Sequence, residues 1–224
     1  MEEYTKNMGI INESEFKLIR NTNVLLIGVG GLGGFIASSL VRLGVRNITI
    51  IDFDVFEKSN LNRQKFSNVS TLGKMKVDVV KSALLKINPN IIVNAISGKF
   101  DETIDSKIID GVDIVFDAVD NISTKIFIEE FCLKFNKPFI HGAIAGWYGQ
   151  VGIILPGSNI LKEIYQHNTN GIEKTLKSPT FIPGIIGNIM ISEFLKFTIK
   201  KEALINKILY VDVLEHEYRI IYQK

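Results

Sequence analysis

One cysteine, Cys132, stands in the whole 224-residue sequence, so no intrachain disulfide can form and no cysteine cluster can hold zinc. The formal net charge is only +2, with no block of like charges, so bulk nucleic-acid binding is not written into the composition. The opening MEEYTKNMGI lacks the basic-then-apolar arrangement of a signal peptide. The longest apolar stretch, residues 181–199, is interrupted by Glu193 and Lys196, which argues against a membrane span. There is no internal repeat and no low-complexity segment. These absences give the expectation of a cytoplasmic protein with no membrane and no nucleic-acid partner.

What is present fits one packed core. Hydrophobic residues make up 46% and charged residues 22%, as in an ordinary globular chain. A weakly amphipathic helix pattern covers residues 10–22. A continuous apolar run at 23–27 reads as a fully buried parallel strand, and 47–51, 91–96, 113–118 and 138–142 read as further strands. Helical patterns over 32–43, 73–87, 105–110 and 123–135 separate them, with Gly44 placed to cap the first. This alternation implies parallel βαβ units. After residue 143 it stops: 150–155, 208–214 and 218–222 read as further strands, the last two a hairpin, and Pro183 suits the first turn of a helix ending near Lys200. The fold class is therefore α/β, a Rossmann-like mainly parallel sheet flanked by helices and extended by antiparallel C-terminal strands. The polar segment 157–179 reads as a mobile loop.

The turn Gly28-Val29-Gly30-Gly31-Leu32-Gly33 directly follows a strand and opens a helix, the context in which a G-x-G-x-x-G motif marks phosphate approach. Asp52 ends the next strand, where a carboxylate can accept from ribose hydroxyls. The plain alternative is a turn whose glycines serve only close helix–strand packing. Either way NAD, FAD and ATP remain open at this point.

Three further positions favour a triphosphate. Arg63 lies in the loop after Asp52, Lys76 near the start of the next helix, and Asp120 at the end of the fourth strand. Ligands of open α/β sheets bind beyond the carboxyl ends of the strands, so all three can converge there. Two cations can neutralise phosphate charge and a carboxylate can hold Mg²⁺. Each has a plain alternative: Asp120 as a helix cap, Lys76 as a solvated helix residue, Arg63 as a surface ion-pair partner.

In their order, GVGGLGG, IIDFDVFEKSNLNRQ, GKMKVDVVKSALLKINP, VFDAVDN and PFIHGAIAGWYGQV resemble the ThiF/MoeB/HesA family, relatives of ubiquitin-activating enzymes. The resemblance runs from about Tyr4 to Tyr222. It implies an adenylyltransferase that activates the C-terminal glycine of a small ubiquitin-like sulfur carrier ending in Gly-Gly, with ATP and Mg²⁺ as cofactors. It implies a homodimer serving thiamin, molybdopterin or related sulfur transfer. It places Gly28, Gly30, Gly31, Gly33, Asp52, Asp54, Asn60, Arg63, Gln64, Lys76, Asp120 and Asn121 around the nucleotide. Arg63, Lys76 and Asp120 would be catalytic, and Asp120 would hold the metal. A single domain would then comprise an N-terminal arm (1–22), a nucleotide-binding half (23–142) and a carrier-binding and dimer half (143–224) with a crossover loop at 157–180.

This sequence departs from that family's pattern twice. The two Cys-x-x-Cys pairs that hold structural zinc in many members are missing, as is a cysteine in the crossover loop, so no zinc and no thioester are expected; Cys132 reads as core. Lys6 stands where relatives carry the arginine that reaches the partner's ATP, a point charge in place of a planar fork. His141 reads as a satisfied core histidine and Trp147 as a core or dimer anchor, while Gln150 borders a channel for the carrier tail. The rival readings are a tRNA-modifying dehydratase of the same superfamily and a non-catalytic nucleotide- or partner-binding module.

Overall fold

Four successive apolar side chains of β1 (Asn23–Ile27) are buried, which requires a strand covered on both faces. In the computed structural model, which describes residues 2–165 and 176–223, β1 holds that central place. It pairs in parallel with β2 (Asn47–Asp52) on one side and β4 (Ile114–Asp117) on the other. Outward from these, β3 (Ile92–Ser97) joins β2 and β5 (Phe139–Ala145) joins β4, again in parallel. Three antiparallel strands follow: β6 (Tyr148–Ile154), β7 (Lys207–Asp212) and β8 (Glu217–Gln223). The sheet order is β3-β2-β1-β4-β5-β6-β7-β8, the expected parallel sheet with an antiparallel extension. Strand order reverses between β1 and β4, and open α/β sheets bind their ligands in the crevice outside the carboxyl ends of the strands at such a switch point.

Helices cover both faces. On one lie α1 (Glu13–Asn21), α2 (Gly31–Leu43), α3 (Lys76–Ile87) and α6 (Phe181–Thr198); on the other lie α4 (Ile122–Lys134) and the short α5 (Ile160–Tyr165). Local chemistry explains the ends. Asn12 and Glu15 form a reciprocal capping box at the start of α1. Gly44, at φ 116°, closes α2 in the left-handed conformation that glycine adopts without strain. By length and composition α6 could cross a membrane, yet it packs against α2, β5 and β6. Its buried Glu193 accepts hydrogen bonds from Lys196 Nζ at 2.6 Å and from the Leu204 N–H at 2.7 Å.

Several expected boundaries move for physical reasons. The helix expected over 73–87 starts at Lys76, because Gly73 takes φ 78° and the preceding strand-like stretch pairs with residues 54–56. The helix expected at 105–110 is a single 3₁₀ turn, Ser106–Ile109, capped by Asp105. The strand expected at 150–155 starts at Tyr148, since the hairpin turns tightly at Gly146. Within the segment expected as a mobile loop, α5 forms instead: Glu129 on α4 accepts the Leu161 and Lys162 N–H groups at 2.9 Å each and so supplies its N-terminal partners. Residues 166–175 of that segment, His167 among them, lie outside the described ones.

Candidate active site

At the switch point the chain leaves β1 through Gly28, whose φ of 87° no side-chain-bearing residue adopts easily. A Cβ on Gly33 would stand 1.9 Å from the Gly28 carbonyl oxygen, and one on Gly28 would stand 2.8 Å from that of Ala118. These two glycines are therefore demanded by packing, as the plain alternative held. Gly30 and Gly31 differ: they leave room against Gln64 and the stem of Arg63, at 3.5 and 3.8 Å from where a Cβ would lie. No side chain caps the start of α2, so its first N–H groups have no side-chain acceptor and face the crevice.

Asp52 ends β2 with its carboxylate held by two backbone donors. Val29 N–H lies 2.8 Å from Oδ2 and Asp54 N–H 2.9 Å from Oδ1. Burial pushes its pKa up, against the lowering effect of these bonds and of Lys76. The carboxylate thus ties the glycine turn to β2. Asp54 pairs with Lys76, Nζ to Oδ2 2.8 Å; the lysine side chain is 7% exposed and the aspartate 47%. Lys76 is not a solvated helix residue. It occupies the first turn of α3, and its own N–H donates to the Asp54 carbonyl at 3.0 Å, which fixes both ends of the pair.

The loop after β2 is built around Asn60, buried, whose Oδ1 accepts the Glu57 N–H at 3.0 Å in a capping box around the turn Lys58–Asn60. That bond leaves its side chain a structural task beside the expected nucleotide contact. Gln64 is buried against Gly30, with its Oε1 lacking a hydrogen-bond partner among the described residues. Arg63 lies along the start of α2, and its Nη1 donates to the Ser59 carbonyl at 2.9 Å and to Asn62 Oδ1 at 3.0 Å. No carboxylate pairs with it among the described residues, so the surface ion-pair alternative finds no partner.

Asp120 follows β4 and is exposed, with no hydrogen bond or ion pair to its carboxylate among the described residues. The capping role is taken by Asn121, whose Oδ1 accepts the Thr124 N–H at 2.8 Å. That frees Asp120 and commits to the helix start the Asn121 side chain that the family resemblance places on the nucleotide. One exposed carboxylate beside room for phosphates suits Mg²⁺, which takes one or two protein oxygens and fills its shell with phosphate and water. No cluster of three or more acidic, histidine or cysteine side chains able to hold a metal occurs among the described residues.

Beneath Asp120 lies a buried cluster that no sequence motif marks as a unit. Asp117, Lys125 and His141 are fully buried together. Lys125 Nζ stands 3.2 Å from both Asp117 oxygens and 2.7 Å from the Gly142 carbonyl, while His141 Nδ1 is 2.7 Å from Asp117 Oδ2. Burial pushes the Asp117 pKa up, but Lys125 and the His141 hydrogen bond outweigh it and hold it below the ordinary carboxylate range. Burial lowers that of His141, so the ring is neutral near pH 7, donates through Nδ1 and leaves Nε2 as an acceptor. His141 is the satisfied core histidine expected. The one available signal was Lys125 on the apolar face of α4, at helical spacing with Ile128 and Cys132. Trp147 is 44% exposed and stacks obliquely on Phe181 at 4.7 Å, so it is no core residue. Lys6 is exposed in the N-terminal arm. Gln150 Oε1, on the sheet face of His141, is buried without a partner among the described residues.

Comparison with known proteins adds to this geometry. A family model described as "ThiF family" matches residues 4–223. The molybdopterin-synthase adenylyltransferase of Haemophilus influenzae is 32% identical over 222 residues, covering 94% of this chain and 90% of that protein. The tRNA threonylcarbamoyladenosine dehydratase of Bacillus subtilis is 36% identical over 141 residues, 62% of this chain and 56% of that one. SUMO-activating enzyme subunit 2 of Dictyostelium discoideum is 32% identical over 157 residues, 70% of this chain, which spans only 24% of that longer protein. Among solved structures, Escherichia coli MccB with ATP superposes with a TM-score of 0.83 at 22% identity, over 100% of this chain and 72% of that one, a likeness of fold.

Proposed function

Because this chain belongs to the ThiF family, we propose that it is an ATP-dependent adenylyltransferase acting on the C-terminal glycine of a small ubiquitin-like sulfur carrier. The observation that carries the reading is the switch-point crevice, where an uncapped helix start, Arg63, buried Lys76 and unpaired Asp120 surround the Asp52 strand end. The adenylyltransferase name of the Haemophilus influenzae relative, matched over nearly the whole of both chains, supports it.

The chemistry follows from charge. A carboxylate oxygen of the carrier terminus attacks the α-phosphorus, the bond to the β-phosphate bridging oxygen breaks, and pyrophosphate leaves. No proton is transferred, so the protein's task is positioning and neutralisation. The N–H groups that open α2 and the Arg63 guanidinium face the phosphates. Lys76 is held ready by Asp54, and on nucleotide binding its ammonium is shared with phosphate oxygen. Asp52 presents oxygens to the ribose, and Gln64 Oε1 is an acceptor with no hydrogen-bond partner among the described residues. Asp120 would hold Mg²⁺, which supplies further neutralisation of the triphosphate. Gln150 lies where an extended Gly-Gly tail can give it an N–H. Lys6 reaching the nucleotide of a second copy, the homodimer this requires, and a cytoplasmic location belong to the same proposal.

ATP–pyrophosphate exchange tests it. Exchange is expected with a Gly-Gly carrier and is expected to fall about 10²–10³-fold in Asp120→Ala and Arg63→Ala, which remove stabilisation of developing charge. Absence of exchange with any such carrier, or wild-type exchange by both variants, sinks the reading. The dehydratase relative keeps a second reading in play; its mark would be a gel shift with tRNA, which a net charge of +2 does not favour.

A further inference from the structure

The buried cluster of Asp117, Lys125 and His141 lies directly under the turn that carries Asp120, and the adenylation chemistry does not touch it. Its hub is one carboxylate with donors from three places. Asp117 Oδ1 accepts the Val119 N–H at 3.2 Å, from the turn itself. Lys125 reaches it from α4 and His141 from β5. The third bond of Lys125, to the Gly142 carbonyl, clamps α4 to β5. The next residue, Ala118, donates its N–H to Ile27 at 2.9 Å, and its carbonyl sits against Gly28. The position of Asp120 relative to the glycine turn is therefore set through Asp117.

A fourth group closes the cluster from outside. The Tyr165 hydroxyl, at the end of α5, lies 3.5 Å from His141 Nε2, and the two rings meet edge to face at 6.2 Å. With Nδ1 committed to Asp117, Nε2 faces the tyrosine hydroxyl, and the Gln150 side chain lies beside the same ring. The chain Tyr165, His141, Asp117, Val119 thus runs from α5 to the residue before Asp120. An exposed carboxylate on a short turn has no bonds of its own to aim it, so its direction is inherited from the backbone beneath.

We propose that Lys125, His141 and Tyr165 are positioning residues for Asp120, acting through the Asp117 carboxylate to aim it at a metal–triphosphate in the crevice. The inference rests on the adenylation reading of that crevice. Groups that orient a metal ligand typically govern metal affinity by 10–100-fold when lost. A role confined to stability would lower the melting temperature and leave the affinity of the folded protein for metal unchanged.

Mn²⁺ with an α,β-methylene analogue of ATP, whose α–β bridge cannot be cleaved, provides the probe, read by electron paramagnetic resonance on the full chain. In His141→Leu, Mn²⁺ affinity in the presence of the analogue is expected to fall about tenfold with a changed line shape, while metal-free analogue binding stays at the wild-type level. His141→Asn, whose amide can still donate to Asp117, is expected to recover affinity to within about threefold of wild type. Tyr165→Phe removes a single hydroxyl at the rim and should weaken Mn²⁺ binding by about twofold even if His141→Leu fails to fold. Wild-type Mn²⁺ affinity in both His141→Leu and Tyr165→Phe, or in Tyr165→Phe alone if His141→Leu does not fold, overturns the positioning role and leaves the adenylation reading standing. Wild-type protein that binds neither analogue nor Mn²⁺ overturns that reading, and this inference with it.

Discussion

Replacing Lys125 by methionine removes the one full positive charge facing Asp117 at comparable side-chain length. Both groups are completely buried, with Nζ 3.2 Å from each carboxylate oxygen. Breaking a buried pair from one side leaves an uncompensated charge and costs about 3–5 kcal/mol. For a chain of this size about 1 kcal/mol moves the melting temperature by roughly 2–4 °C, so a fall of about 6–20 °C is expected near pH 7. The pH dependence carries the sign. In the wild type the folded pKa of Asp117 is depressed, so the pairing stabilises above the ordinary carboxylate range and is lost as pH falls through the folded value. In the variant burial becomes the leading influence and raises that pKa, so protonation at lower pH relieves the defect. The gap between the two proteins should therefore narrow from about pH 7 to about pH 5, as followed by thermal melts. Adding Asp117→Asn to Lys125→Met should restore part of the loss, a coupling that a double-mutant cycle reads directly. A fall under about 2 °C at pH 7, or a gap that widens on acidification, refutes the reasoning.

Gly33→Ala drives a methyl group into the Gly28 carbonyl, 1.9 Å from its ideal position, and is expected to cost about 1–3 kcal/mol or abolish folding, measured by urea unfolding. Gly98→Ala, with nothing within 4 Å, is the matched control and should be near neutral. Glu129→Ala removes the acceptor for the first N–H groups of α5 and should cost that helix about 0.5–2 kcal/mol. Hydrogen exchange would then quicken in residues 160–165 and stay slow in α2; unchanged protection at 160–165 counts against the docking described. Cys132 is buried, and burial pushes its thiol pKa far up, so alkylation of the native protein should be slow and Cys132→Ala should keep adenylation activity. Rapid labelling under native conditions, or inactivity of a folded Cys132→Ala, would contradict the reading of that thiol as core.

The sheet was legible because its signal is local. A continuous apolar run too short for a helix is consistent with a strand covered on both faces, and β1 reads that way and is buried so in the sheet. The glycine turn was legible for the same reason, since spacing and context sit within one βα unit. Less local features escaped. The short helix α5 has few residues of its own to announce it; its start is satisfied by Glu129, some thirty residues upstream. Trp147 reads as a core or dimer anchor; it lies at a hairpin tip, 44% exposed and against the Phe181 ring, which removes the core half of that reading.

The candidate site divides along the same line. By itself the amino-acid sequence determined the α/β class, the alternation of strands and helices through β5 and the identity of the polar residues delivered to the carboxyl ends of the strands. All of these depend on periodicity and on distances of a few residues along the chain. Only the tertiary structure decided which of those residues are free. Asn121 took the cap and released Asp120. Lys76 was withdrawn from solvent onto Asp54, 22 residues away in sequence, and Asp117 collected a lysine and a histidine from two other elements. Hydrogen-bond partners are assigned by spatial neighbours, and those neighbours exist only once β1, β4 and β5 stand side by side.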